Sequence, residues 1–509
     1  MLRNVVFVSY LFGLAFFVEA CSRNSPDDRH EHVPDHSEVH VPELETVLQF
    51  PSAPPQEEPE EPTTHYIASS EPDALAIQAY EAIHDPILEW NAIALEADVT
   101  SHTMERGDQL GPTRASRALA IVHLAMYDAY NAIEPVGEPY LFVKAPANAN
   151  TDVAASVAAY VTLRYLYPSQ SRTLDQAIRK TLLRYPYTAV EYNSILFGKY
   201  VGLRMLWNRF RDGSEIMGTY DVVNRPGFHA PDPLNPNQGF LDPAWGHVRP
   251  FAIPNTRLFT APPPPALDSR TYINAFEEVR RLGGDGIVTP TVRSREQTLI
   301  GLFWAYDGTP KLGTPPRLYN QIVRTIAQQK NNKIGENARL FALVNMAMAD
   351  AAIQSWSDKY RYNFWRPVIG IRHGHVADVS QSEGDPNWTP LGAPASNTRQ
   401  PNFTPPFPTY TSGHATIGTA AMHMIRKFYG TDQIPFSFIS DELNGKTRGN
   451  DGRVRPLIER SFRTISEAIA ENADSRIFLG IHWRFDQVEG VRSGRRIADY
   501  IADKQLRTR

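Results

Sequence analysis

Three short segments in the second half of the chain concentrate cationic and hydrogen-bonding side chains. The first is Asp358-Lys359-Tyr360-Arg361-Tyr362-Asn363-Phe364-Trp365-Arg366-Pro367. Lys359 and Arg366 are seven positions apart, nearly two helical turns, so one helix would present both on one face, about 10 Å apart along its axis. Pro367 disfavours helix at Arg366 and predicts an end there. The second is Pro408-Thr409-Tyr410-Thr411-Ser412-Gly413-His414. Behind it Ile417, Ala420, Ala421, Met424, Ile425 and Phe428 repeat at helical spacing. Ser412 therefore stands at an N-cap. A helix N-terminus offers free N–H donors and a partial positive charge, which favours an anion. Gly413 would let backbone approach that anion closely. The third is Ser475-Arg476 followed by Gly480, His482 and Asp486. Six residues on a regular helix would point Arg476 and His482 apart, so Gly480 is expected to kink or end it. Asp486, four after His482, can reach one ring nitrogen and fix the tautomer. One lysine, two arginines, two histidines, a serine and a glycine suit a multiply charged oxyanion.

The elements that must position these residues read as helices. Apolar periodicity predicts helices over 74–97 (interrupted at Pro86), 114–133, 153–165, 174–183, 189–210, 294–306, 318–328, 338–358, 415–429 and 462–478. Alternating strand patterns are scarce. Pro-rich loops over 226–265 and 386–408 lie between the helices, and the first could divide two halves. The expectation is an all-α body of packed helical bundles with long Pro-rich connecting loops. One bundle is expected over 76–290. A second, carrying the site, is expected over 291–509.

Composition removes other chemistries. The chain has 509 residues, 42% hydrophobic and 21% charged, enough to bury a core. A single cysteine excludes a disulfide framework and a cysteine-based zinc or iron–sulfur site. The net charge is −5, yet residues 22–73 alone carry −11 and the 436 residues after them +6. That mildly cationic body fits a small anionic ligand and lacks the basic runs of a nucleic-acid protein.

The N-terminus reads as an export segment. One arginine precedes a 14-residue apolar stretch from Val5 to Val18, too short to span a bilayer, and Val18-Glu19-Ala20-Cys21 follows. This resembles a bacterial lipobox, with Glu19 a departure. Two readings stand: Cys21 is lipidated, or the segment is an ordinary secretory signal. Residues 22–75, with nine prolines, thirteen acids and five histidines by residue 73, are expected to form a disordered tether. His30, His32, His36 and His40 within it could chelate a metal or simply be solvated.

The three segments together resemble the site of the vanadium-dependent haloperoxidases, shared with the phosphatidic acid phosphatase type 2 superfamily. The pattern K-x6-RP, P-S-G-H and S-R-x5-H-x3-D is met here, with Thr411 standing for the proline. Asp85-Pro-Ile-Leu-Glu-Trp-Asn, Gly111-Pro-Thr-Arg-Ala-Ser-Arg-Ala and Phe303-Trp-Ala-Tyr-Asp-Gly resemble the chloroperoxidase branch, so the likeness spans roughly residues 80–505. It implies two four-helix bundles and one vanadate per chain. His482 would ligate vanadium, Lys359, Arg366 and Arg476 would hold the oxygens, and Lys359 would also act catalytically by polarising the bound peroxide. Ser412 and the Gly413 N–H would add hydrogen bonds, and His414 would serve as the acid–base group. Asp307 would support His414, or be an ordinary loop residue before Gly308. Trp356 and Phe407 resemble the aromatic residues of the halide pocket, though both could be core residues. Phe407 stands where bromide-selective relatives carry histidine. The implied reaction oxidises chloride or bromide with hydrogen peroxide to hypohalous acid, which halogenates a small organic acceptor. A phosphatase with His482 as nucleophile and a non-catalytic oxyanion-binding lipoprotein are the alternatives. The sequence leaves the oligomeric state open. No nucleic acid is expected, and the membrane is expected only through the lipid on an exported, outer-membrane protein.

Overall fold

The computed structural model describes residues 85–374 and 384–508. The expected signal segment, Cys21 and the tether lie outside them, as does the start of the helix expected from residue 74. The described residues form thirteen α-helices and one small hairpin, so the all-α expectation is borne out.

Helix α1 (Pro86–Thr103) begins where Pro86 was expected to interrupt one. Asp85 caps it, its Oδ1 accepting from Ile87 N at 2.8 Å and Leu88 N at 3.0 Å. Pro86 then occupies the first turn, where its missing N–H costs nothing. Helices α2 (Gly111–Ile133), α3 (Thr151–Leu166), α4 (Ser171–Leu182) and α5 (Ala189–Asn208) follow. Small residues let α3 and α5 approach closely. A Cβ at Gly202 would come within 2.9 Å of Val161 Cβ, and one at Gly198 would meet the Ala154 carbonyl.

After a long loop come α6 (Arg270–Leu282), α7 (Arg295–Phe303), α8 (Pro315–Gln329) and α9 (Ile334–Tyr362). The 29-residue α9 packs on α2 on one side. On the other it meets α11 (Gly413–Tyr429). The loop lies along α9 and is tied to it. Asp350 accepts three successive N–H groups, from Phe251 (2.6 Å), Ala252 and Ile253 (both 2.8 Å). One buried apolar cluster consequently runs from Ile87 to Leu506, with residues from both sides of position 290.

The remaining elements are α10 (Pro367–His373), strands β1 (Phe436–Asn444) and β2 (Leu457–Phe462), α12 (Ile465–Phe478) and α13 (Arg484–Lys504). The strands pair antiparallel, Phe436 opposite Phe462. The hairpin and helices α6, α10 and α13 correct the sequence reading, which had not picked them out. α13 is mostly polar and buries only a narrow stripe, among it Gly490, Gly494, Ile497 and Ile501 against α11. A Cβ at Gly494 would sit 2.9 Å from Thr419 Cβ, so this glycine serves close packing. No helix of the described residues is long and apolar enough to cross a membrane.

Candidate oxyanion-binding active site

Lys359 lies in the last turn of α9 and is fully buried. Its Nζ donates to the carbonyls of Pro408 (3.0 Å), Thr409 (2.9 Å) and Thr411 (2.6 Å). The helix stops at Tyr362 because Asn363 takes a left-handed φ of 50° as its cap. Arg366 thus lies outside α9, at the N-cap of α10, so the expected two-turn helical spacing of Lys359 and Arg366 does not occur. Chain reversal brings them together instead. Both face the 407–411 loop, where Arg366 Nε donates to Phe407 O at 2.9 Å. Arg366 Nη1 donates to Ile481 O at 2.8 Å and to His482 Nε2 at 3.0 Å.

Ser412 caps α11 as expected, its Oγ accepting from Ala415 N at 3.4 Å. His414 sits in the first turn, where Nε2 meets Ala305 O at 2.7 Å. Its backbone carbonyl is gripped by Tyr319 OH (3.1 Å) and Asn472 Nδ2 (3.0 Å). Burial and the adjacent Arg476 push the imidazole down to about 3, against the pull of Asp307. Asp307, expected to support His414, is 3.9 Å from its Nε2. It is bonded first to Arg476, whose Nη2 donates to Oδ1 at 2.7 Å.

α12 ends at Phe478, and Gly480 turns the chain with φ 72°. The turn lies against Gly283, whose Cα would be 2.9 Å from a Cβ at position 480. It brings His482 back toward Arg476, as the glycine's position suggested. His482 Nδ1 is 3.0 Å from Asp486 Oδ2. Thr409 Oγ1 lies 2.9 Å from the same nitrogen and donates to the same carboxylate oxygen, which also accepts from Trp483 N at 2.9 Å. An N–H on Nδ1 satisfies this arrangement and leaves Nε2 as the unprotonated nitrogen that accepts from Arg366 Nη1. Burial and the nearby Arg366 and Lys359 hold His482 well below the ordinary histidine range. Burial likewise pushes Lys359 down and Asp486 up.

Asp307, Trp356, Phe407, Gly413, His414, Arg476 and His482 line one cavity of about 310 Å³. Lys359, Arg366 and Ser412 are not among its lining residues: Lys359 and Arg366 hold the 407–411 loop, Arg366 also holds His482, and Ser412 caps α11. The Trp356 and Phe407 rings pack at 4.8 Å between centroids. Lys359 Nζ lies 4.9 Å from the Phe407 centroid and the Arg366 guanidinium 4.8 Å from it. Sequence reasoning missed Thr409, Tyr319 and Asn472. Their partners are 50 or more residues away, and no local pattern announces them.

The buried donors test whether these residues fit an oxyanion. Arg366 Nη2 and Arg476 Nε and Nη1 are buried without a hydrogen-bond partner. Such donors are costly unless something accepts from them. An oxyanion in the cavity that Arg476 and His482 line would accept from them, and among the described residues no carboxylate does. The residues fit vanadate, and equally fit phosphate, which shares its shape.

Two family descriptions match the chain: "Vanadium chloroperoxidase N-terminal domain" over residues 78–239 and "VCPO second helical-bundle domain" over residues 339–508. The chain is 35% identical over 483 residues to the vanadium chloroperoxidase of Curvularia inaequalis, covering 79% of this chain and 78% of that one. Among solved structures it resembles the first bacterial vanadium-dependent iodoperoxidase, with TM-score 0.68 and 25% identity over 83% of this chain and 98% of that chain. The holo form of a bacterial vanadium-dependent chloroperoxidase shares the fold, with TM-score 0.60 and 17% identity over 80% of this chain and 95% of that chain. The chain belongs to the vanadium chloroperoxidase family.

Proposed function

We propose that this enzyme oxidises halide with hydrogen peroxide to hypohalous acid, using vanadate held in the cradle. The observation that carries the reading is the set of buried, unpartnered nitrogens on Arg366, which bonds His482 Nε2, and on Arg476, which lines the cavity with His482. When bound, vanadate supplies a Lewis-acidic centre of constant oxidation state that makes peroxide electrophilic toward halide. The chain's residues do the rest. His482 offers Nε2 as the ligand while Asp486 and Thr409 fix its tautomer. Arg366 and Arg476 donate to the anion's oxygens, Lys359 adds charge from behind, and Ser412 Oγ and the Gly413 N–H sit at a helix N-terminus. In a site shielded from water these interactions exceed their worth in solvent. His414 keeps Nδ1 free of protein partners and is placed to hold or pass the proton. Ala305 O fixes its other nitrogen. Trp356 and Phe407 wall off water on the halide side, which favours chloride turnover at acidic pH with bromide also accepted.

The test is reconstitution. Protein stripped of vanadate is expected to gain bromide- and chloride-dependent halogenation of a small organic acceptor when orthovanadate and peroxide are added. Phosphate is expected to compete. Rapid hydrolysis of p-nitrophenyl phosphate without halide oxidation would establish the phosphatase reading instead. Vanadate retention with neither activity would establish the binding-protein reading. The same proposal places the enzyme outside the cytoplasm, anchored by lipid on Cys21. It rests on the apolar stretch from Val5 to Val18 and on Cys21 being the sole cysteine. Intact mass of the membrane-extracted protein is expected to show a diacylglyceryl-type modification on Cys21 as first residue. An unmodified Cys21 would rule it out.

A further inference from the structure

Met104 is the one methionine among the described residues that line the cavity, and the reaction does not use it. Met104 is the C-cap of α1, with its N–H donating to Thr100 O at 3.1 Å. It lines the same cavity as His414, Arg476 and His482. Its side chain is 39% exposed, and Ser169 Oγ lies 3.8 Å from Sδ. Met126, Met205, Met346, Met348, Met422 and Met424 are at most 1% exposed. Met217 is 65% exposed, more than Met104, and does not line the cavity.

We infer that Met104 is a modification site: the thioether at the mouth of the cavity captures hypohalous acid leaving it and becomes methionine sulfoxide. The inference rests on the halide-oxidising reading above. The thioether sulfur is the softest nucleophile on the exit path. Its lone pair attacks the halogen of the hypohalous acid, the halogen–oxygen bond breaks and hydroxide leaves. Water then adds to the halosulfonium sulfur and halide departs. The balance is thioether plus hypohalous acid to sulfoxide, one proton and one halide ion. Sulfur loses two electrons and the halogen gains them, so halide returns to the pool. The product is a polar, chiral group on a rim that Leu110, Pro112, Leu241, Pro405 and Pro406 otherwise make apolar.

Met104 and Met217 together form an internal control. An oxidant arriving from bulk meets Met217 at least as readily, because Met217 is the more exposed. An oxidant emerging from the cavity meets Met104 first, at a high effective concentration. The experiment is limited turnover of the vanadate-loaded full chain with bromide and peroxide. Peptide mass spectrometry then quantifies the gain of about 16 Da that marks a sulfoxide. Bromination of phenol red is followed in a parallel aliquot. The reference is the same protein treated with reagent hypobromite. The Met104-to-Met217 oxidation ratio is expected to be at least about tenfold higher under turnover than under reagent, as an effective-concentration advantage requires. Free methionine added to the buffer is expected to spare Met217 and not Met104. Met104→Leu should brominate phenol red as before and lose the oxidised peptide. Equal ratios under turnover and reagent, or equal Met104 oxidation by peroxide without bromide, would overturn the inference while leaving the function standing. No phenol red bromination would overturn both.

Discussion

Both halves of the molecule bury arginines, and they treat them differently. In the first half Arg117 on α2 and Arg209 after α5 share Asp212, each Nε donating to its Oδ2 at 2.9 Å. Carbonyls take further donors: Arg209 O accepts from Arg117 at 3.0 Å and Pro250 O from Arg209 at 3.1 Å. No N–H of either guanidinium is buried and unpartnered. At the cradle Arg366 and Arg476 leave three nitrogens without partners, and burial beside Arg476 pushes Arg366 down to about 9. The histidines repeat the contrast. His123 in the core of α2 meets Leu119 O at 2.7 Å and Asn91 Nδ2 at 2.9 Å, so both ring nitrogens are used. His414 uses one. The shared Asp212 leaves the first pair satisfied; the idle donors of Arg366, which bonds His482, and of Arg476, which lines the cavity with it, suit an anion there.

The same substitution on the two sides should break different things. Arg209→Met should destabilise folding by about 1–3 kcal/mol, since Asp212 keeps Arg117 while the Pro250 carbonyl loses its donor. Vanadate affinity of the folded fraction should not change. A denaturation midpoint and equilibrium dialysis check the two halves of that statement. Arg476→Met should weaken vanadate binding by about 2–5 kcal/mol, and because it removes the partner of Asp307 it should lower the midpoint of the vanadate-free protein as well. Vanadate at a hundred times its Kd should stabilise the wild type by about 2.7 kcal/mol, and at that concentration should leave Arg476→Met nearly unshifted. Equal vanadate affinity in the two variants would erase the distinction drawn between the regions.

Acid should expose the structural histidine. Burial lowers His123 to about 4, with no ion pair to compensate. A histidine held below its unfolded value contributes stability above about pH 6.5 and loses it as pH falls toward pH 4, in total roughly 3 kcal/mol. His123→Gln keeps hydrogen-bonding capacity and does not titrate. Between these pH values, the pH slope of its unfolding free energy should be shallower than the wild type's by up to about 1.4 kcal/mol per unit. Urea midpoints of vanadate-free protein across that range measure it. An unchanged slope would mean His123 does not stay neutral in the fold.

How much of this was readable beforehand depends on how local each cause is. Ser412 as a cap and Gly480 as a reversal follow from neighbouring residues, and the structure has both. The apolar faces of α2, α3, α9 and α11 were readable because each buries a broad side. Arg366 was misplaced because Asn363, tolerant of left-handed backbone, ends α9 before the proline can. α13 was missed because its packing uses glycines, which carry no hydrophobic signal. Strands β1 and β2 are edge pieces whose alternation lasts only a few residues. Asp307 was recognised as a site residue, but its bond to Arg476 joins positions 169 residues apart.

Thr409 is the sharpest remaining case, because its main chain and side chain act on different parts of the cradle. Its carbonyl accepts from Lys359 Nζ at 2.9 Å, while its hydroxyl bridges His482 Nδ1 and Asp486 Oδ2. Thr409→Val keeps the shape and the carbonyl and removes only the bridge. Asp486 Oδ2 still accepts from His482 and Trp483 N, so the imidazole keeps its tautomer and loses one lateral restraint. Vanadate affinity should fall about tenfold, the lower end of the range for groups that orient a metal-ligating histidine. Stability of the vanadate-free protein should change by no more than about 1 kcal/mol. Thr409→Ser restores the hydroxyl and should restore affinity, which a packing defect would not allow. If dialysis finds Thr409→Val binding vanadate as tightly as the wild type, Asp486 alone orients His482 and the hydroxyl belongs with the satisfied donors of the first half.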